Sequence, residues 1–376
     1  MTGPDTPAPD ATPGTDPASA AAPPSRRAAL MRSGLIVAVL FLVFVVILPA
    51  TGVNYSEVFA AFQALSAQQM VVITALGAAG WLVSGLVICT LIPGLSVPRG
   101  PTSWLILSGI GASVPFGPWN MGVLWVVLRG WGIPNIPATS GIALYGVVHE
   151  LSRLFLPLFA IIIIAVTGDL AGSANAGKAW TIAIISAVVF IVAVGLIIAV
   201  VRSERIAAWL GRTGQRVVSW LMARLGRKGA PDVDGAIHRF RDQLGVVIRQ
   251  RGLLALGTSV ASQFVWAIVL IVALRMCGVP ADVLSPGIIF GVYALVMAIT
   301  IIPLSPGGAG VPELLFISAF TTIAGEPYTA AITAGVFLYR LYYWFLPIPL
   351  AWILLKLARR GKSMLPTTAE LKAAAH

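Results

Sequence analysis

The sequence predicts an all-α polytopic integral membrane protein built from two inverted repeats. Hydrophobic residues make up 58% of the 376 and charged residues only 10%, a composition typical of membrane proteins rather than of soluble domains. Apolar stretches long enough to span a bilayer recur along the chain. Two pairs of shorter stretches meet at prolines and glycines, and these two breaks resemble each other. We therefore expect about eight membrane helices and two re-entrant or broken helix pairs.

The polar segments divide the chain into five parts. Residues 1–32 begin with a leader rich in Pro, Ala, Thr and Asp that has little to bury, so we expect a disordered tail. Membrane repeat 1 then spans 33–201. Residues 202–251 combine many Lys and Arg with apolar residues at helical spacing, which predicts an amphipathic connector. Membrane repeat 2 spans 252–357, and 358–376 form a basic tail.

The distribution of positive charge predicts the orientation of the chain. Lys and Arg concentrate in the N-terminal tail, the connector and the C-terminal tail, and all three fall on one face if both broken pairs are re-entrant. By the positive-inside rule that face is cytoplasmic. We expect a multi-pass protein of the bacterial inner (plasma) membrane with both termini in the cytoplasm. Because topology explains the net charge of +11, no nucleic-acid partner is expected.

Apolar length predicts the individual elements. The stretches 103–117 and 119–131 are together too short for two crossings and predict a re-entrant hairpin over 103–131. A second pair predicts either two thin spans or another hairpin over 285–323. All predicted segments, in chain order, are 33–50, 70–93, 103–117, 119–131, 138–167, 178–201, 252–276, 285–302, 307–323 and 328–357.

The two breaks share a sequence pattern. "VPFGPWNMG" at Val114–Gly122 aligns with "IPLSPGGAG" at Ile302–Gly310, and the following helices align from Pro137 and Pro327. In the predicted topology those helices run in opposite directions, so the repeats are inverted, as in transporters with a midplane site. The residues expected to line this cavity are Pro115, Pro118, Trp119, Asn120, Gly122, Pro303, Pro306, Gly307, Gly308 and Gly310.

The breaks also predict the charge of a ligand. Half-helices that begin near Trp119 and Gly307 would direct free N–H groups and a partial positive charge at the cavity. An anionic group is the natural ligand of such helix ends.

Ionisable residues inside apolar segments predict the substrate site, because a charge at bilayer depth costs a few kcal/mol or more. Glu150 and Arg153 are spaced to pair on one helix, and Glu313 lies within reach of Arg340. Either these ion pairs only hold the two halves together, or the arginines bind a phosphate while the carboxylates tune them or carry a coupling proton. The candidate substrate-binding residues are His149, Glu150, Arg153, Glu313, Tyr339, Arg340 and Tyr343.

The second break resembles a known family. "PLSPGGAGVPE", followed by "FLYRLYYWFLP", is similar to the transmembrane region of lysylphosphatidylglycerol synthase/flippases, without their soluble synthase domain. The resemblance implies that Pro306, Gly307, Gly308, Gly310, Glu313 and Arg340 belong to the family motif. The first break is less similar, and the repeat places Trp125 where a second acid would stand.

The sequence and the resemblance together favour a lipid translocase. It would move an anionic or zwitterionic phospholipid derivative, or a polyprenyl-phosphate-linked lipid, between leaflets. One alternative is a non-transporting scaffold or accessory subunit of a lipid-linked glycosyltransferase or another envelope-lipid enzyme; another is a small-solute transporter. No catalytic, metal-ligand or cofactor motif is present, so neither enzymatic activity nor a cofactor is expected. Membrane lipids with an anionic head group are the expected partners.

Overall fold

The structure, a computed structural model, describes residues 55–113, 119–167, 176–203, 252–301 and 308–360, with scattered positions between 205 and 219. Within these residues every regular element is a helix. The helices are α1 (Tyr55–Gln63), α2 (Ala67–Leu91), α3 (Arg99–Ser113), α4 (Trp119–Gly130), α5 (Asn135–Val166), α6 (Ala176–Arg202), α7 (Gly252–Met276), α8 (Pro286–Ile299), α9 (Val311–Ala324), α10 (Thr329–Arg340) and α11 (Pro347–Arg360).

Four helical runs are long and apolar enough to cross a membrane. They are α2, α5, α7 and the run Glu326–Leu357, which joins α10 and α11. The prediction of an all-helical protein with membrane-spanning helices is confirmed at this level. The predicted first span at 33–50, the tail 1–32, most of the connector 202–251 and the tail from residue 361 lie outside the described residues.

The sequence predicted one uniform helix over the last long run, but the structure divides this run into two helices. A π-helical turn at Leu341–Phe345 separates α10 from α11, and the Leu346 N–H donates to the Leu341 carbonyl at 2.8 Å. Pro347 follows directly, and its ring would clash with the carbonyl four residues earlier in a continuous α-helix. The wider π turn removes that clash. The short helix α1 was also not predicted.

The helices at the two predicted breaks are short. Their lengths are 15 residues for α3, 12 for α4, and 14 each for α8 and α9. These correspond to roughly 18–22 Å at 1.5 Å per residue, less than the ~30 Å thickness of a bilayer's hydrocarbon core. Within each pair the two helices pack against each other.

The same turn ends α4 and α7, a similarity that the sequence reasoning missed. Residues 129–134 read RGWGIP and residues 275–280 read RMCGVP. In each, the glycine has a positive φ, 83° at Gly132 and 95° at Gly278, so the helix ends there. The arginine closes the turn by donating to a carbonyl four residues on, at 2.8 Å in the first turn and 3.0 Å in the second. Pro134 then caps the start of α5, whereas Pro280 is followed by a short turn before α8.

Helix packing connects the two predicted breaks with the long helices. α3 packs along α11, α8 packs along α5, and α2 packs along α7. Small residues allow these approaches, as is common between membrane helices: a Cβ added to Gly109 of α3 would collide with the Pro347 carbonyl of α11. Ser84 of α2 and Ser262 of α7 are hydrogen-bonded at 2.7 Å, and the Trp266 indole N–H donates to Ser84 at 3.0 Å.

Aromatic side chains from six elements meet at the centre of this packing. Trp266 stacks on Trp104 with ring centroids 5.7 Å apart and meets the edge of Tyr343 at 4.9 Å. The Tyr293 hydroxyl donates to the buried Gln263 at 2.8 Å. We call Trp104, Trp266, Tyr293, Phe316, Tyr339 and Tyr343 the central aromatic cluster.

The contact between α3 and α11 generates a stability prediction. Gly109→Ala should lower the free energy of unfolding by about 1–3 kcal/mol or more, because the methyl group forces two backbones apart. Thermal unfolding of the detergent-purified protein measures the effect.

Gly257→Ala is the matched control, since Gly257 also lies inside a helix but an added Cβ meets nothing within 4 Å. The control should be neutral or slightly stabilising, because alanine favours helix more than glycine does. Equal melting temperatures for the two variants would contradict the packing described.

Candidate functional site

A buried ion pair holds the start of α9. Gly308 and Gly310 have positive φ values of 75° and 88°. Glu313, in the first turn of α9, accepts a hydrogen bond from the Gly310 N–H at 2.8 Å and another from Arg340 Nε at 2.7 Å. Arg340 Nη2 also donates to the Gly308 carbonyl at 2.7 Å. We call these four residues the α9 clamp.

The α9 clamp is shielded from solvent. The Glu313 side chain has no exposed surface and that of Arg340 is 3% exposed. The guanidinium carbon of Arg340 lies 5.3 Å from the Trp344 ring centroid and 5.9 Å from that of Tyr343, within the range of cation–π attraction. Each charge is therefore compensated inside the protein, as buried charges must be.

The predicted pairing of Glu313 with Arg340 is confirmed, but the expected helix start near Gly307 was wrong. α9 begins at Val311 rather than near Gly307, because the left-handed conformations of Gly308 and Gly310 cannot continue a helix. Both partners belong to residues 252–357, so the pair does not join the two predicted repeats. The α9 N-terminus also already holds an anionic group, the carboxylate of Glu313 itself.

The second predicted pair, Glu150 and Arg153 of α5, is also confirmed. Arg153 Nη1 lies 3.2 Å from the Glu150 carboxylate. Arg153 Nη2 donates to the Thr300 hydroxyl at 2.8 Å and contacts the Met297 sulfur at 3.6 Å. Because Met297 lies in α8 and Thr300 caps its end, Arg153 joins the two predicted repeats.

Each ion pair places one charged side chain beside a helix end at the second break. These ends are the C-terminus of α8 and the N-terminus of α9. The C-terminus of a helix carries partial negative charge and favours a cation, whereas the N-terminus favours an anion. Arg153 lies beside the C-terminal cap of α8, and Glu313 lies in the first turn of α9. These side chains from the protein itself thus complement both helix ends at the second break.

Glu150 differs from the other three charged groups in its exposure. It lies midway along α5, yet its side chain is 41% exposed, compared with 11% for Arg153. The neighbouring His149 ring stacks on Tyr145 with centroids 5.5 Å apart. The Arg153 Nε atom is buried, with no hydrogen-bond partner within the described part of the chain. This pair is therefore only partly compensated and partly accessible.

Two candidate residues, Tyr339 and Tyr343, belong to the central aromatic cluster. Tyr339 has no exposed surface. It stacks on Tyr343 with ring centroids 5.4 Å apart, and Tyr343 is partly buried. Contacts therefore join Tyr343 to Arg340 of the α9 clamp, and Glu150 to Arg153, while Tyr339 packs in the core.

The helix that follows the first predicted break, α4, begins without the acidic side chain that α9 has. Trp119 begins α4 and is 60% exposed. Asn120 donates to the Leu107 carbonyl at 3.3 Å and accepts from the Met121 N–H at 2.9 Å. The first turn of α4 carries no acid, and an added Cβ at Gly122 meets nothing within 4 Å. The predicted lining residues Pro115, Pro118, Pro303, Pro306 and Gly307 lie outside the described residues.

Trp125 occupies the position that the repeat aligns with Glu313. Its indole N–H donates to the Asn135 side chain at 3.1 Å, which joins α4 to the start of α5. The α4 helix therefore has no internal carboxylate equivalent to that of the α9 clamp.

Across the described ranges, no three His, Cys, Asp or Glu side chains lie close enough together to hold a metal ion. No protein-family model matches the chain, and no curated protein matches its sequence significantly.

The α9 clamp generates a stability prediction. Glu313→Gln should lower the free energy of unfolding by about 3–5 kcal/mol, because it leaves the Arg340 charge buried without a counter-charge. The double variant Glu313→Gln/Arg340→Met should lose less than the sum of the two single variants, since it removes both charges. Reversible unfolding in mixed detergent micelles measures these differences.

Glu326→Gln is the control, because Glu326 lies exposed in the turn before α10 and its replacement should leave stability unchanged. Additive losses in the double variant would show that the two side chains are not coupled.

Proposed function

We propose that the protein is a lipid translocase that moves an anionic or zwitterionic lipid between the leaflets of the bacterial inner membrane. The resemblance of residues 303–313 and 337–347 to the membrane region of lysylphosphatidylglycerol synthase/flippases supports this class. The four helical runs able to cross a membrane are compatible with it. The proposal is for a transporter rather than an enzyme.

The partial exposure of Glu150 carries the proposal. A charged group midway along a spanning helix needs a polar partner or a water-filled cavity, since exposure to lipid chains is too costly. The Arg153 guanidinium pairs with one oxygen of the Glu150 carboxylate, and 41% of the Glu150 side chain remains exposed. A polar ligand that enters the membrane region would meet this carboxylate first.

The two charge pairs are assigned different roles. The groups of the α9 clamp are buried and bonded to each other, so we assign the clamp to the fold rather than to substrate. Glu150 and Arg153 present an accessible carboxylate beside a guanidinium, a combination that matches the ammonium and phosphate of a zwitterionic head group. Among the proposed substrates, this geometry favours a zwitterionic lipid.

The packing of the short helices supports inverted repeats. The first helix of each predicted hairpin packs on the long helix that follows the other hairpin: α3 on α11 and α8 on α5. A two-fold axis in the membrane plane would relate these two contacts to each other. Short helices that meet inside the membrane around one site are typical of alternating-access transporters.

The proposed topology places both termini in the cytoplasm. A fluorescent protein that folds only in the cytoplasm should fluoresce when fused after His376, because the basic tail and the connector stay on that side. The same fusion inserted at residue 172, in the predicted external loop, should not fluoresce. A dark C-terminal fusion that is present in the membrane in normal amount would contradict the orientation.

The transport function predicts movement of labelled lipids in proteoliposomes. Purified protein should accelerate the flipping of a labelled phosphatidylethanolamine, with labelled phosphatidylglycerol and a labelled polyprenyl phosphate compared in parallel. Glu150→Gln and Arg153→Gln should each slow flipping by about 10–100-fold, because a hydrogen bond to a charged group contributes ~1.5–3 kcal/mol. Glu326→Gln, a charge change in an exposed turn, should leave the rate unchanged.

The other outcomes distinguish the alternatives. No flipping of any lipid by the folded protein, with stable co-purification of an envelope-lipid enzyme, would support the accessory-subunit alternative. Uptake of a water-soluble substrate without lipid movement would support the small-solute transporter. Normal flipping by both Glu150→Gln and Arg153→Gln would contradict the site assignment.

A further inference from the structure

The π-helical turn between α10 and α11 places one backbone carbonyl, that of Tyr342, between two possible donors. In a π-helix the N–H five residues further on donates to a carbonyl, but that position is Pro347, which has no N–H. The Trp81 indole N–H of α2 donates to the Tyr342 carbonyl instead, at 2.9 Å. In an α-helix the donor would be the N–H of Leu346, which here bonds to Leu341.

Two further contacts hold Tyr342 against α2. Its hydroxyl is hydrogen-bonded to the Thr74 hydroxyl at 2.7 Å. Its ring covers Gly77, where any side chain would collide with it. α2 therefore adds two hydrogen bonds and a ring contact to the π register that Pro347 and the Leu346–Leu341 backbone bond already favour.

We propose that this turn is a register switch, in which the Tyr342 carbonyl pairs with Trp81 in the π register and with Leu346 in an α register. In this change the backbone hydrogen bonds of the turn go from a five-residue to a four-residue spacing. The helix on one side must then rotate by ~100° and move by ~1.5 Å along its axis relative to the other side. Such a shift by one position is a discrete step rather than a continuous bend.

The neighbouring contacts determine which side moves and which contact changes. α10 is held by Arg340 in the α9 clamp, whereas α11 packs on α3 through Gly109 and Pro347. α11 is therefore the side that moves, and its contact with α3, the first helix of the other predicted hairpin, changes because α3 is itself held against α2 and α7. The switch therefore alters the contact between α11 and the first predicted hairpin. Its purpose rests on the proposed function, but the register change itself requires no substrate.

A distance measurement without lipid substrate tests the switch. In a chain whose Cys89 and Cys277 are replaced by alanine, spin labels are placed at Leu82 of α2 and Ile353 of α11, which are 55% and 51% exposed. Pulsed electron paramagnetic resonance should give a main distance and a minor one. Trp81→Phe should raise the minor fraction roughly two- to tenfold, the effect of losing one neutral hydrogen bond.

Two controls make the result specific. Trp125→Phe removes an equivalent indole hydrogen bond, to Asn135, and should leave the Leu82–Ile353 distances unchanged. A second label pair, Leu82 with the 45% exposed Ile268 of α7, should show one distance in every variant. If Trp81→Phe does not fold, Pro347→Ala serves instead, because it removes the ring clash that disfavours the α register.

The outcomes separate this proposal from the proposed function. The same distance distribution in the parent and in the folded Trp81 or Pro347 variant would overturn the switch, whatever the flipping assay shows. A shifted distribution in a protein that moves no lipid would support the switch and contradict the translocase.

Discussion

The carboxylate of Glu313 is the group on which the second break in the helical chain depends. Gly308 and Gly310, both left-handed, precede α9 and leave backbone N–H and carbonyl groups without helical partners inside an apolar core. Glu313 satisfies the Gly310 N–H, and Arg340 satisfies the Gly308 carbonyl and neutralises Glu313. Because unsatisfied backbone groups cost several kcal/mol in such surroundings, the break is tolerated only with both side chains in place.

The two ion pairs have different roles, and the two predicted hairpins differ in the same respect. The α9 clamp uses its charges to complete the backbone and leaves little for a ligand. Arg153 shares its bonds between Glu150 and the end of α8, and Glu150 keeps an exposed face. The start of α4, with Trp119 exposed and no acid in its first turn, has no equivalent of Glu313. The asymmetry between the breaks is therefore chemical as well as geometric.

The sequence predicted much of this arrangement, and the failures have physical reasons. Apolar length placed the described membrane helices within a few residues. Helical spacing predicted the pair Glu150–Arg153, and the position of Glu313 just after the glycine break predicted its pairing with Arg340. Hydropathy did not reveal the π turn at 341–345, because its cause is local: Pro347 is apolar and sits in an apolar run. Nor did the pattern distinguish Glu150 from Glu313, since exposure depends on which helices pack around each residue. The two Arg-x-x-Gly-x-Pro turns are visible in the sequence, but they lie outside the alignment of the two breaks on which the predicted repeat was based.

If Glu150 faces a polar cavity inside the membrane region, a water-soluble reagent reaches position 150. In a chain without native cysteines, Glu150→Cys and Leu82→Cys are treated in proteoliposomes with a charged, membrane-impermeant thiol reagent. Leu82 is 55% exposed on an apolar helix face and should remain unlabelled because it contacts lipid. The Glu150→Cys variant should be labelled. Equal resistance of both variants to the reagent would show that Glu150 does not face a polar cavity.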